Sequence, residues 1–236
     1  MKALLNYHFK NYLRVYKYIP PLTVFIIMLI VNYTFIPNPI LDSYSFTSLV
    51  LFFLMGWVTI SIMHTEDEEQ KQITLLHAKN PGLYYLSLVI ICVMVGLLFS
   101  VVSVLYPILI NAFRPGLQII HILAGIFSHF SLALLSIGLS LFFTREFVKN
   151  SINTWWGVIC VLVITLVLAI AKIDILDNQL FHWTLPPLRT ALELMSMRDE
   201  EFSFSIYTYG QFGWVFLYSL LLIVFFIAIA TKRRKA

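Results

Sequence analysis

Charged residues are absent from the middle of every long apolar segment of this chain. Six such segments account for most of the 236 residues, and only 12% of all residues are charged, against about a quarter in soluble domains. A bilayer core about 30 Å thick requires roughly 20 apolar residues per spanning helix. Ion- and proton-coupled transporters usually carry ionisable groups at mid-membrane depth. We therefore expect a membrane protein without such a relay in its spans.

Cysteines and catalytic motifs are also scarce. The two cysteines, Cys92 and Cys160, both lie inside apolar segments, and neither has a Cys or His at ligand spacing. This pattern predicts neither a disulfide framework nor a metal site. The sequence contains no G-x-S-x-G nucleophile motif and no G-x-x-x-x-G-K-[ST] phosphate loop. We therefore predict no catalytic, cofactor-binding or metal site, and no enzyme activity, in this chain.

The apolar segments predict an all-α integral membrane protein with six transmembrane helices. The predicted spans are Pro20–Phe35, Ser45–Met63, Leu83–Ile110, Leu117–Phe143, Trp155–Ala171 and Gly210–Ala230. The first span is short, and we expect it to gain a turn from Tyr18 and Ile19.

The distribution of basic residues predicts the orientation. Twelve of the sixteen Lys and Arg residues lie before the first span, in the second and fourth loops, or after the last span. The other four are Arg114, Lys172, Arg189 and Arg198. The positive-inside rule then places both termini in the cytoplasm of a multi-pass protein of the cytoplasmic membrane. The net charge of +4 is explained by this bias, so we expect no nucleic-acid partner.

The N-terminal segment has the pattern of a basic amphipathic helix. Leu5, Phe9, Tyr12, Leu13 and Tyr16 share one helical face, and Lys10, Arg14 and Lys17 gather on another. Such a helix lies in the headgroup layer with its cations near anionic lipid. The alternative is a juxtamembrane anchor that only sets the topology.

The second loop, Glu66–Lys79, combines an acidic half with an apolar half. Thr65 is positioned to cap a helix whose first turn is rich in carboxylates, which the helix dipole favours. Ile73, Leu75 and Leu76 then form a short apolar patch, and Asn80-Pro81-Gly82 ends the helix. A capped helix of this kind between two spans is suited to docking a cytoplasmic partner. The alternative is a solvated acidic loop.

His121 and His129 lie eight residues apart in the fourth predicted span, on nearly the same helical face. No Asp, Glu or Cys follows either of them at i+4. We expect neutral histidines that bond to neighbouring helices, and we leave a metal site as the alternative.

The layout of these segments resembles the permease subunit of a bacterial type-2 ABC exporter. The resemblance is carried by the order of an amphipathic basic N-terminal helix, six spans, the Glu66–His77 stretch, and a semi-apolar excursion before the last span. It implies an interfacial elbow helix at 1–18 with Lys10, Arg14 and Lys17 at the membrane surface. It further implies a transmembrane domain at 19–236, a cytoplasmic coupling helix at 65–79 and an outer segment at 173–208.

The resemblance also implies partners. A separate ABC ATPase subunit, which binds ATP and Mg, would receive the coupling helix. Its expected contacts are Glu66, Glu68, Glu69, Gln70, Ile73, Leu75 and Leu76, while His182–Leu194 would form short outer helices. A second permease copy, identical or related, would complete the translocation path. The apolar and aromatic composition, with 20 Phe, 12 Tyr and 5 Trp, favours a lipid-like cargo or an amphipathic peptide such as an antimicrobial peptide.

A second hypothesis is a membrane scaffold or immunity protein that transports nothing. It would bind a partner through the outer segment His182–Phe204 and would need no nucleotide. A secondary transporter or an intramembrane enzyme is disfavoured by the absence of charge within the spans.

Overall fold

The structure is a computed structural model that describes residues 1–78, 80–114, 116–171, 185–199 and 206–235. Its regular secondary structure, over these residues, is entirely helical. The helices are α1 Lys2–Arg14, α2 Ile19–Asn32, α3 Ile40–Met63, α4 Glu68–His77, α5 Pro81–Leu109, α6 Ile119–Leu141, α7 Ser151–Ile170, α8 Leu188–Met195 and α9 Ile206–Lys235.

Five of these helices are long and apolar enough to cross a membrane: α3, α5, α6, α7 and the Gly210–Arg233 part of α9. A sixth crossing results if α1 and α2, which meet at an angle of 75°, count as one broken span. The all-helical prediction and the multi-pass membrane prediction agree with this architecture.

The first predicted span, Pro20–Phe35, is wrong in its bounds. Helix α2 does begin one residue early, at Ile19, but it ends at Asn32 after 14 residues, which corresponds to about 21 Å. The chain leaves the helix before Pro37 and Pro39, neither of which could donate a helical hydrogen bond. Asn38 instead pairs with the α5–α6 connection, donating from its backbone N to Ala112 O at 2.8 Å.

Helices α3 and α6 form the centre of the bundle. In each of them, 72% of the most apolar stretch is buried by the rest of the chain, compared with 22% in α7 and 28% in α9. The two central helices approach closely at Gly125, where an added Cβ would lie 2.8 Å from Tyr44 Cε2. Helices α7 and α9 thus leave most of their apolar surface to the surroundings, as expected of lipid-facing helices.

The bundle has two unlike ends. One end is formed by α1, α4 and the last turn of α9, and we call it the proximal end. Arg233 of α9 and Lys71 of α4 both bond to Glu146 in the α6–α7 connection there. The opposite end, formed by the α5–α6 connection, the start of α3 and α8, is the distal end. Leu188 and Met195 of α8 are fully buried. Residues 172–184 and 200–205 lie outside the described residues, and so do the first three residues of the predicted outer stretch His182–Leu194.

Candidate docking site at the proximal end

Helix α4 lies where the coupling helix was predicted, but it is shorter than 65–79 and begins differently. Asp67 caps it, because its Oδ1 accepts a hydrogen bond from Gln70 N at 2.8 Å. The predicted cap, Thr65, is wrong: its hydroxyl donates back to Ser61 O and Ile62 O at the end of α3. Glu68 and Glu69 do occupy the first turn, where the helix dipole favours carboxylates.

A buried carboxylate fixes the start of α4 to the bundle. Glu66 is only 4% exposed and accepts hydrogen bonds from three hydroxyl groups. Tyr7 of α1 donates to Oε1 at 2.7 Å, Thr74 of α4 to Oε1 at 2.8 Å, and Tyr84 of α5 to Oε2 at 2.7 Å. Because a buried charge is costly unless it is hydrogen-bonded, these three donors hold α1, α4 and α5 in one arrangement.

A buried ion pair fixes the middle of α4. Lys71 Nζ contacts Glu146 Oε1 in the α6–α7 connection and lies 3.7 Å from Glu68 Oε1. The Lys71 and Glu146 side chains are 7% and 6% exposed, so water cannot solvate either charge fully and each depends on its partner. Arg233 of α9 donates to Glu146 O at 2.9 Å, which ties the last turn of the chain to the same point.

His64 connects these anchors at the end of α3. Its Nε2 accepts from Arg145 N at 3.1 Å, and its carbonyl oxygen accepts from Lys17 Nζ at 2.6 Å. Burial, together with the positive charges of Arg145, Lys71 and Lys17, lowers the pKa of His64 to about 3. The ring is therefore neutral near pH 7 and carries one proton. Because Nε2 accepts from Arg145 N, that proton is on Nδ1.

The opposite face of α4 is exposed and partly apolar. Ile73 is 59% exposed and Leu76 is 82% exposed, and their spacing of three residues places them side by side on the helix. Glu69, Gln72 and His77 are exposed around them. Leu75, in contrast, packs against the main core. An apolar pair thus projects from a helix whose other face is firmly anchored. We call this exposed surface the α4 patch and define it by Glu69, Gln72, Ile73 and Leu76.

The predicted partner contacts therefore divide into two groups. Glu69, Ile73 and Leu76 lie in the α4 patch. Glu66, Gln70 and Leu75 point back toward the chain: Glu66 is buried, Gln70 Nε2 donates to Tyr7 Oη at 2.8 Å, and Leu75 packs on the core. Glu68 is half-exposed beside Lys71.

Sequence reasoning missed the anchoring residues Lys71, Tyr84 and Glu146. Lys71 is the one Lys or Arg in the acidic half of the loop, and this position indicates an ion pair with a nearby carboxylate such as Glu68. Glu146 follows the fourth predicted span by only three residues, and nothing in the sequence indicates that it meets Lys71, 75 positions earlier.

Helix α1 lies against α5 through one face and leaves the other open. His8 and Tyr12 are buried, and the His8 ring meets Tyr84 edge-on with centroids 5.0 Å apart. Lys10 and Arg14 are exposed, as are Phe9, Leu13 and Tyr16. Lys17 follows the end of α1 and donates to His64 O. The predicted apolar face of α1 is thus divided: Tyr12 is buried against the bundle, whereas Phe9, Leu13 and Tyr16 are exposed.

The histidine pair of α6 is fully accounted for by hydrogen bonds. His129 contacts Thr47 Oγ1 through Nε2 at 2.8 Å and Gly125 O through Nδ1 at 2.7 Å. His121 accepts from Gln118 N at 3.1 Å and bonds to Asp199 O at 2.9 Å. Within the described ranges, no group of three His, Cys, Asp or Glu side chains could hold a metal ion.

No protein family, curated protein or solved structure matches this chain. The functional interpretation therefore depends on the sequence pattern and on the geometry of the proximal end.

Proposed function

We propose that this chain is the membrane-spanning subunit of an ATP-driven exporter and that α4 docks on a separate ABC ATPase. The observation that carries the proposal is the α4 patch. It is an exposed apolar pair on a capped helix that projects from the proximal end, beside α1, the last turn of α9 and the cations Lys17, Lys71, Arg145 and Arg233. Two permease copies and two ATPases would make the working unit, with ATP and Mg bound by the ATPases.

The chemistry of α4 favours a protein partner over the lipid surface. Its first turn presents Asp67, Glu68 and Glu69 to solvent, and anionic headgroups repel such a cluster. An apolar groove on a protein, with cations facing the N-terminal turn of α4, would complement both the carboxylates and the Ile73–Leu76 pair. The basic face of α1, with Lys10 and Arg14, is suited to the lipid surface instead.

The anchors explain how docking could move the spans. A force on α4 acts on Glu66 and Lys71, and these residues contact α1, α5 and the α6–α7 connection directly. Closure of two ATPases on ATP would thereby displace helices as rigid bodies, as in other two-state transitions. Such a mechanism requires no ionisable relay within the bilayer. The apolar bundle favours an amphipathic peptide or a lipid-like molecule as cargo.

Co-purification with a P-loop ATPase encoded beside this chain tests the proposal. Leu76→Asp places a charge in the predicted apolar groove, so we expect the complex and its ATP hydrolysis to be lost. Leu76→Met keeps the side chain apolar at nearly the same volume and should preserve both.

A complex that forms equally well with Leu76→Asp would contradict docking through α4. If the wild-type chain captures no ATPase, the exporter proposal fails. The remaining hypothesis is then a scaffold or immunity protein that binds a partner through the outer segment His182–Phe204.

A further inference from the structure

A distant carboxylate caps the central helix α3 at the distal end. Asp199 Oδ2 accepts from Ile40 N at 2.9 Å, and its Oδ1 accepts from Leu41 N at 2.9 Å. The first backbone N–H groups of a helix have no partner within the helix, and here they are satisfied by a residue 158 or 159 positions away. Asp199 thereby joins the chain that follows α8 to the start of α3.

Helix α6 also binds Asp199, through the backbone carbonyl of Asp199. His121 Nδ1 accepts from Gln118 N, so the ring proton is on Nε2, which donates to Asp199 O at 2.9 Å. Met195, four residues before Asp199, is fully buried with Ile40, Leu41 and Tyr44. Asp199 is therefore fixed to both central helices at once.

Below Asp199, polar groups continue inward between α3 and α6. Tyr44 is fully buried, and its ring meets the His129 ring edge-on at 5.7 Å. Thr47 Oγ1 bonds to His129 Nε2 at 2.8 Å. We call this line of residues the distal seam. It comprises Leu41, Tyr44 and Thr47 of α3 and His121, Gly125 and His129 of α6.

A cavity of about 710 Å³ reaches Asp199 from the distal side. Its wall includes Asp42, Arg114 and Arg198 as well as Asp199 and His121. Leu41, directly behind Asp199, is 0% exposed. The cavity therefore reaches Asp199 and His121 but not Leu41, which is buried immediately behind Asp199.

We propose that Asp199 is a latch that closes the distal seam to water. While its carboxylate caps α3 and its carbonyl binds His121, the seam is sealed at Leu41. When the cap is released, the cavity becomes continuous with the seam, and water gains access toward the Thr47–His129 pair. This latch does not depend on docking at the proximal end, so either proposal can fail without the other.

Thiol accessibility of the full-length protein in nanodiscs tests the latch. Leu41→Cys is introduced with Cys160→Ser, because Cys160 is exposed while Cys92 is buried, and modification by a water-soluble maleimide is followed over time. Asp199→Ala removes the cap and should raise the modification rate roughly 5- to 30-fold, the factor that corresponds to losing a helix cap. Asp199→Asn keeps one acceptor oxygen but replaces the other with an NH₂ donor, so it can keep only one of the two capping bonds and its rate should lie between those of the Asp199 and Asp199→Ala proteins.

Asp42→Ala is the matched control. It removes a carboxylate from the first turn of the same helix without removing the two capping bonds, so the slow rate should persist. If the Leu41→Cys/Cys160→Ser protein is modified equally fast with Asp199 and with Asp199→Ala, the proposal is overturned. The proposal is also overturned if Asp42→Ala raises the modification rate as much as Asp199→Ala does.

Amide hydrogen exchange provides a readout that needs no cysteine. In the otherwise native chain, Asp199→Ala should accelerate exchange at Ile40 and Leu41 and farther along the seam at Tyr44. Unchanged exchange at all three amides would also overturn the latch.

Discussion

Removing the hydroxyl group of Tyr84 should destabilise the proximal end more than removing that of Tyr7. Both hydroxyl groups donate to the Glu66 carboxylate at 2.7 Å, so Tyr84→Phe and Tyr7→Phe each remove one donor from the same carboxylate. Tyr7→Phe also removes the acceptor of the Gln70 Nε2 hydrogen bond. Their surroundings differ, because Tyr84 is 1% exposed and Tyr7 is 37% exposed. The pair therefore compares a buried donor with an exposed one.

The expected losses of stability differ because water can reach the position of the Tyr7 hydroxyl but not that of the Tyr84 hydroxyl. A hydrogen bond to a charged group is worth about 1.5–3 kcal/mol, whereas an ordinary one is worth about 0.5–1.5 kcal/mol. In Tyr84→Phe, no water can replace the lost donor, so we expect a loss of about 1.5–3 kcal/mol. In Tyr7→Phe, water reaches the vacated position, and we expect at most about 1 kcal/mol.

Unfolding titrations of the purified chain in mixed detergent micelles provide the assay. The two variants are compared with the wild-type protein at one pH and one detergent composition. A Tyr7→Phe loss equal to or larger than that of Tyr84→Phe would refute the assignment of Glu66 as a buried, dry anchor.

Two further predictions concern the same end of the bundle. Lys71→Met removes the Lys71 cation from the buried Glu146 carboxylate and should cost about 3–5 kcal/mol, whereas the double variant Lys71→Met/Glu146→Leu should cost less than the single one. Additive losses in the same unfolding assay would argue against a buried pair. His64, with its pKa lowered to about 3 against about 6.5 when unfolded, binds more protons in the unfolded state between these values. Its stabilising effect is therefore complete above about pH 6.5 and is lost as the pH falls, by up to about 1.4 kcal/mol per pH unit. His64→Gln should flatten the fall measured between pH 7.5 and 5, and a fall as steep as that of the wild-type protein would contradict this assignment.

The fold was predictable where composition alone decides it. Long apolar segments without charge predict membrane helices, and the bounds of α3, α5, α6 and α7 lie within a few residues of the predicted spans at most ends. The prediction failed for the first span, because the proline-rich stretch after Asn32 joins the α5–α6 connection instead of extending the helix. That pairing is a long-range contact, and local periodicity carries no information about it.

The candidate site was predictable in position but not in its internal contacts. The acidic-then-apolar pattern indicated a short helix at the correct place, with Ile73, Leu75 and Leu76 as its apolar patch. Ile73 and Leu76 are exposed, but Leu75 packs against the core. The roles of Glu66 and Thr65 could not be read from sequence, because their partners are set by tertiary structure. Tyr7 and Tyr84, which bind Glu66, are 59 and 18 positions away. Thr65 had a preferred capping residue, Asp67, two positions later.

Direct cross-linking from Leu76 tests the central claim, that α4 is the contact to an ATPase. A photo-reactive amino acid at Leu76, which is 82% exposed, is irradiated in membranes that contain a co-expressed P-loop ATPase, the proposed partner. The same group at Met197, an exposed residue of the distal end, is the control. We predict that position 76 captures the ATPase and position 197 does not. Capture only from position 197, or none from position 76 in membranes where the ATPase is present, would contradict the account.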